Sequence, residues 1–172
     1  MEDKVKVGEN VSAIIQQKMP LKCKDPGIFT IPCTLGTKKI EIALLDLRAS
    51  INVMPFSIYK YLNLGSLKET TVIIQLADRS NSYPMGIIED VLVKVNDLIF
   101  PADFYVIDTD DENALNPALL ILGRPFMSTT RTKIDVHEGT LSLEFDGEIV
   151  TFNIFDAMMY PDDLNLFFIW ML

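Results

Sequence analysis

Histidine is nearly absent from this 172-residue chain, which has one, and it has only two cysteines and one tryptophan. Cys23 and Cys33 cannot hold a metal by themselves, and His137 is distant from both in sequence. Neither a metal nor a cofactor is therefore expected. Cys33 has no histidine near it, and Ser128, Thr129 and Thr130 have no nearby base, which argues against thiol and serine nucleophiles. Both thiols are expected to be free, as in a reducing compartment, which places the chain inside the cell, in the cytoplasm. Positive charge is also short: 15 Lys and Arg stand against 24 Asp and Glu, for a net charge of −9. Such a chain repels phosphate backbones, so nucleic acid is not an expected partner. Residues 1–4 lead into a charged segment rather than an apolar one, so no secretion signal is expected. The apolar stretch at 164–172 falls short of the roughly 20 residues that span a bilayer. It reads as a truncated end, and no membrane is expected as partner.

What the chain does have is a core. Hydrophobic residues make up 49% of it, enough for one ordinary domain. Residues 1–23 read as a leader or linker, with a short amphipathic stretch at 11–18 that Pro20 would stop. Asp25-Pro26-Gly27 is a turn signal that opens the domain, which is expected to run over 24–158, with 159–172 as an apolar tail. Short strand-like runs fill the domain. Those at 28–35 and 39–45 flank Gly36-Thr37 as a hairpin, and 71–76 is β-branched. The runs at 90–95 and 98–100 flank a turn at Asn96-Asp97, and 102–107 continues as strand. An acidic loop covers 108–116, and 119–123 is a buried strand ending at glycine. Strands at 133–136, 140–145 and 149–154 are separated by turns at Glu138-Gly139 and Asp146-Gly147. Residues 55–62 have helical spacing, with Pro55 at the first position and Asn63 and Gly65 near the end, and a second short helix follows Gly123. Many short strands with one or two short helices predict an all-β closed barrel.

Chemistry concentrates at Ala43-Leu44-Leu45-Asp46-Leu47-Arg48-Ala49-Ser50. An apolar strand delivers one carboxylate into a turn of small residues, and the apolar pattern then resumes at Ile51. A surface turn is the ordinary place for an aspartate, but the apolar residues on both sides argue for a buried strand end. Asp108, Asp110 and Asp111 lack both the leading strand and the small-residue turn. His137, beside Glu138-Gly139, reads as a turn residue.

Three motifs in order then carry a resemblance. They are Asp46-Leu47-Arg48-Ala49-Ser50 followed by Ile51-Asn52-Val53-Met54-Pro55, the polar tip at Ala77-Asp78-Arg79-Ser80-Asn81-Ser82 with its return through Tyr83-Pro84-Met85-Gly86, and Ile121-Leu122-Gly123-Arg124-Pro125-Phe126. Together they resemble the retropepsin-like aspartic proteases, most closely those encoded in plant gypsy-type long-terminal-repeat retrotransposon polyproteins. The resemblance implies a retropepsin-like barrel and a homodimer, with Asp46 as the catalytic residue of each copy. It also implies a flap at residues 77–86 closing over an extended peptide or polyprotein substrate, and a floor at Ile121, Leu122, Gly123 and Arg124. The chain offers only one suitable aspartate loop, so a second copy must bring the other carboxylate.

Leu47 stands where many aspartic proteases have a hydroxyl residue that hydrogen-bonds across the dimer, which leucine cannot do, but the resembled plant group often has leucine there, so it counts as a family variant. One departure from the family pattern matters. Arg48 stands where the family has glycine. The expectation is that an arginine strains a loop built for glycine and sets a permanent cation beside Asp46, opposing a proton shared between two carboxylates. The chain is thus expected to be an impaired aspartic endopeptidase. The alternative is an inactive dimeric peptide-binding or scaffold module of the same fold.

Overall fold

A computed structural model describes residues 28–75, 79–108, 119–154 and the backbone of 158–159. The expected leader at 1–23, most of the acidic loop and nearly all of the 159–172 tail lie outside the described residues.

The first hairpin forms as the sequence predicts. Strands β1 (Ile28–Leu35) and β2 (Lys38–Leu45) pair antiparallel across a turn at Gly36, whose φ of +58° suits a residue without Cβ. Short strand β3 (Val53–Pro55) leads into helix α1 (Phe56–Leu62). Pro55 sits just outside that helix as its N-cap, in extended conformation, rather than at the first helical position, and Asn63 ends the helix in the left-handed region. The Tyr59 hydroxyl donates to the Gly65 carbonyl, fastening the exit.

Of the β-branched run at 71–76, residues 71–75 are described, and these become strand at β4 (Ile74–Gln75), which pairs with β5 (Asn81–Ser82). Strands β6 (Gly86–Val95) and β7 (Leu98–Ile107) form the long hairpin. The two expected segments at 98–100 and 102–107 are one strand running through Pro101, which lies outside the part of β7 that pairs with β3. Proline is tolerated there because that flank of the strand needs no donor. Next come β8 (Leu120–Leu122) and α2 (Arg124–Thr129). Strands β9 (Lys133–Asp135), β10 (Thr140–Phe145) and β11 (Glu148–Asn153) make a separate three-stranded sheet. Finally, β12 (Met158–Met159) pairs with the start of β1.

Six strands close into a barrel in the order β1-β2-β8-β3-β7-β6, and β6 returns to β1 through Thr34↔Lys94 and Leu35↔Val93. The fold is all-β with two short helices among the described residues. A bulge makes the closure possible. Along β6 the buried positions are Gly86 and Ile88, then Val91, Val93 and Val95, a switch from even to odd numbers. Without an extra residue, one half would turn its apolar side to water. The register shift between Ile88 and Val91 supplies that residue, and Asp90 takes a φ of +55° within it. The Asp90 amide, freed from the ladder, donates to Oδ1 of Asp103 on β7 at 2.9 Å. Phe100, Phe104, Phe126, Leu45 and Leu122 fill the interior, and Phe100 meets Phe126 edge-on with ring centroids 5.9 Å apart.

Candidate active site

Strands β2 and β8 run parallel, pairing Ala43, Leu44 and Leu45 with Leu120, Ile121 and Leu122. Both strands end at the same level, and two loops leave them side by side. The first carries Asp46 and the second Gly123. The Asp46 amide donates to the Leu122 carbonyl at 3.1 Å, extending the ladder by one bond. The apolar run therefore does set a carboxylate at a strand end: Asp46 is only 7% exposed, while its neighbour Leu47 is 55% exposed. One residue is held against the barrel and the next is offered outward.

The loop is braced by backbone bonds. The Ala49 amide returns to the Asp46 carbonyl at 3.1 Å, and the Arg124 amide donates to the Ala49 carbonyl at 2.9 Å. Ala49 is fully buried, and Ser50 and Ile51 are half-buried. Gly123 packs directly beneath. A Cβ on it would lie 2.2 Å from the Ile51 carbonyl oxygen and 2.8 Å from that of Ala49, so the position needs glycine for space. Its φ of −87° asks for no special conformation. Of the remaining floor residues, Leu122 is buried, Ile121 half-buried and Arg124 exposed, and the Arg124 side chain makes no ion pair among the described residues.

Arg48 departs from its expected effect in one respect. It is not among the described residues with positive φ, so this loop takes a side chain at residue 48 without entering the left-handed region. The expected backbone strain is absent. The arginine does stand beside the carboxylate: its Nε lies 3.3 Å from Oδ1 of Asp46, and its backbone amide donates to the same oxygen at 2.9 Å.

In the flap region, Ala77 and Asp78 lie outside the described residues. Arg79, with a φ of +68°, Ser80 and Asn81 are exposed, and Ser82 is half-buried. The base of the region is firmer. Met85 is exposed but its amide donates to the Val106 carbonyl at 2.8 Å. Gly86 is buried where the chain at Leu67 and Lys68 crosses, and a Cβ there would sit 2.6 Å from the Lys68 carbonyl oxygen. Lys68 and Ile87 exchange two backbone bonds of 2.9 Å at that crossing. The Lys68 ammonium is hydrogen-bonded to Glu89, which holds its pKa above the ordinary lysine value, with the Asp90 and Asp103 charges adding to the effect.

One residue of the site has no assigned role in the sequence reading. Asn52 is 3% exposed. Its Oδ1 accepts the Gly123 amide at 2.8 Å and its Nδ2 donates to the Asp103 carbonyl at 2.9 Å. These bonds span 71 and 51 residues of sequence, so no local pattern signals them. A groove of about 380 Å³ beside the loop is lined by Ile51, Asn52, Asp90, Asp103, Tyr105 and Phe126 among others, but not by Asp46. Among the described residues no three His, Cys, Asp or Glu side chains gather in a way that could hold a metal ion.

The fold has a counterpart among solved structures. The chain is similar to the crystal structure of the retroviral protease-like domain of Ddi1 from Leishmania major, with 18% identity and a TM-score of 0.53. The similarity covers 79% of this chain and 99% of that one. The fold is retropepsin-like. No protein-family model and no curated protein matches the chain. At this identity the likeness shows the fold alone.

Proposed function

We propose that this chain supplies half of an aspartic endopeptidase site, two copies meeting so that their Asp46 carboxylates flank one water, and that Arg48 restrains the activity. The observation that carries the reading is the placement of Asp46 at the paired ends of β2 and β8, with Leu47 exposed beside it. In such a site one carboxylate takes a proton from water as general base. The other, protonated, polarises the scissile carbonyl. Two close carboxylates cannot both ionise cheaply, so the pair shares a proton and titrates as a unit. The substrate is an extended peptide, bound as a strand between the flap and the floor at Ile121 and Gly123. The motif order at Asp46, Arg79 to Gly86 and Gly123 supports an origin in a retrotransposon polyprotein of the plant gypsy type, acting inside the cell on that polyprotein.

A second reading is favoured by a specific contact. The Arg48 Nε sits 3.3 Å from Oδ1 of Asp46, so a cationic side chain occupies the space beside the carboxylate. A dimeric module that binds peptides without cutting them would have this arrangement.

A peptide-cleavage assay on the natural chain, Arg48→Gly and Asp46→Asn separates the two. Restrained catalysis predicts that Arg48→Gly cleaves faster than the natural chain and that Asp46→Asn does not cleave. Retained peptide affinity with no turnover in any of the three supports the binding module.

A further inference from the structure

The Asp46 loop leaves β2 and must arrive at β3 with its carboxylate fixed to a fraction of an ångström, since two such loops have to present a matched pair. Backbone bonds hold its first half: Asp46 to Leu122, Ala49 to Asp46 and Arg124 to Ala49. Its second half is held through Asn52. The side-chain oxygen of Asn52 takes the amide of Gly123, the residue whose missing Cβ lets the Ile51 and Ala49 carbonyls rest on it. The side-chain nitrogen donates to the Asp103 carbonyl on β7, and the Asn52 backbone carbonyl takes the Tyr105 amide at 3.0 Å. The partners fix the amide's orientation, because a backbone N–H only donates and a backbone carbonyl only accepts. A buried planar amide meets both needs, since it offers one acceptor and one donor at a fixed separation. An aspartate has no proton for Asp103 when ionised, and an alanine leaves both backbone groups without their partner.

We infer that Asn52 is a positioning residue for the Asp46 carboxylate, one amide clamping the loop at once to the Gly123 turn and to β7. The inference deepens the endopeptidase reading and rests on it for its catalytic consequence, while the clamp itself is testable in the natural chain whether or not that chain cleaves.

The experiment uses nuclear magnetic resonance on the natural chain and on Asn52→Ala and Asn52→Asp. In Asn52→Ala the Gly123 amide exchanges with solvent about tenfold faster or more, and the Asp46 carboxyl carbon changes its chemical shift. Amides of the β6–β7 hairpin keep their protection. Equal loss of protection everywhere would reduce Asn52 to a general stabiliser and overturn the inference, as would an unchanged Asp46 carboxyl signal. Asn52→Asp guards against a variant that fails to fold. A protonated carboxyl again has both a donor and an acceptor, so acidification returns the Gly123 amide signal toward its natural position. No return overturns the clamp. In the kinetic arm, run in the Arg48→Gly chain, Asn52→Ala lowers kcat about tenfold or more with KM within about twofold. A matched loss in KM, or an unchanged kcat, rejects the positioning role. Absence of cleavage even in Arg48→Gly counts against the endopeptidase reading, and the exchange measurements then decide the clamp alone.

Discussion

Arg48 and Asp46 meet twice at a single oxygen: the arginine's amide lies 2.9 Å and its Nε 3.3 Å from Oδ1. The amide contact belongs to the loop backbone and is available to any residue at that position. The Nε contact belongs to arginine alone. Substitution can therefore separate the shape of the loop from its charge.

Replacing Arg48 with glycine keeps the amide contact and removes the cation. Peptide cleavage by Arg48→Gly is expected to exceed that of the natural chain by about tenfold or more, equivalent to ~1.4 kcal/mol of barrier. Because residue 48 does not occupy the left-handed region, the glycine gains no backbone relief. It adds freedom to the unfolded chain instead, so Arg48→Gly should be less stable by about 0.5–1 kcal/mol. Denaturant midpoints and initial rates, measured together, check both signs. A variant that is more stable and no faster would contradict the loop geometry and the charge argument at once.

Gly123 is a matter of volume. A methyl group there meets two backbone carbonyls, at 2.2 and 2.8 Å, and neither can swing aside as a side chain would. Gly123→Ala is expected to destabilise by about 3 kcal/mol, at the upper end for overpacking. The midpoint of urea unfolding should fall with its slope unchanged. A shift under about 0.5 kcal/mol would mean that the Asp46 loop and the β8 turn are not in contact.

Cys33 is buried in the barrel wall, and burial pushes its thiol up to about 12 from an ordinary 9.0. Below the unfolded value both states hold the proton and nothing changes with pH. Between about 9 and 12 the unfolded state loses it while the folded state keeps it. The unfolded state then binds fewer protons, and stability falls as pH rises, by about 1.4 kcal/mol per unit. Cys33→Ala should lose this component of the alkaline slope, readable from midpoints across that range. In the folded natural chain Cys33 should also resist thiol reagents at neutral pH. Rapid modification of Cys33 without unfolding would contradict its burial.

Leu47 is exposed beside a carboxylate that is not, an arrangement that suits a face covered by a second copy. Placing a charge there should weaken self-association, so sedimentation of Leu47→Asp should show a larger monomer fraction than the natural chain at equal concentration. About a tenfold weaker dimer corresponds to ~1.4 kcal/mol. Indistinguishable association would move the interface elsewhere.

How much of this is legible in the sequence follows from the range of the interactions. The hairpin turns at Gly36, Asn96 and Gly147 are local, and each has a residue at positive φ where the sequence offers glycine or asparagine. The strand ending at Asp46 and the one ending at Gly123 are marked by apolar runs, and both sit where those runs stop. Thr71 to Ile73 look equally strand-like, yet only Ile74 and Gln75 find partners; β-propensity has no effect without an adjacent strand. Arg48 reads as a strained residue because the resembled family has glycine there, but steric cost depends on φ, which the sequence does not give. Asn52 stands in the run that follows the aspartate loop, but its role is not legible there because its two side-chain bonds reach Gly123 and Asp103, partners that only the closed barrel brings near.

The central claim is that a catalytic site needs Asp46 from two copies. The direct measurement mixes Arg48→Gly chain with increasing amounts of the same chain carrying Asp46→Asn, at constant total concentration, and follows peptide cleavage after exchange of partners. The account predicts that the rate falls as the square of the fraction of chains retaining Asp46. A rate falling in simple proportion to that fraction, with each chain working alone, would contradict it.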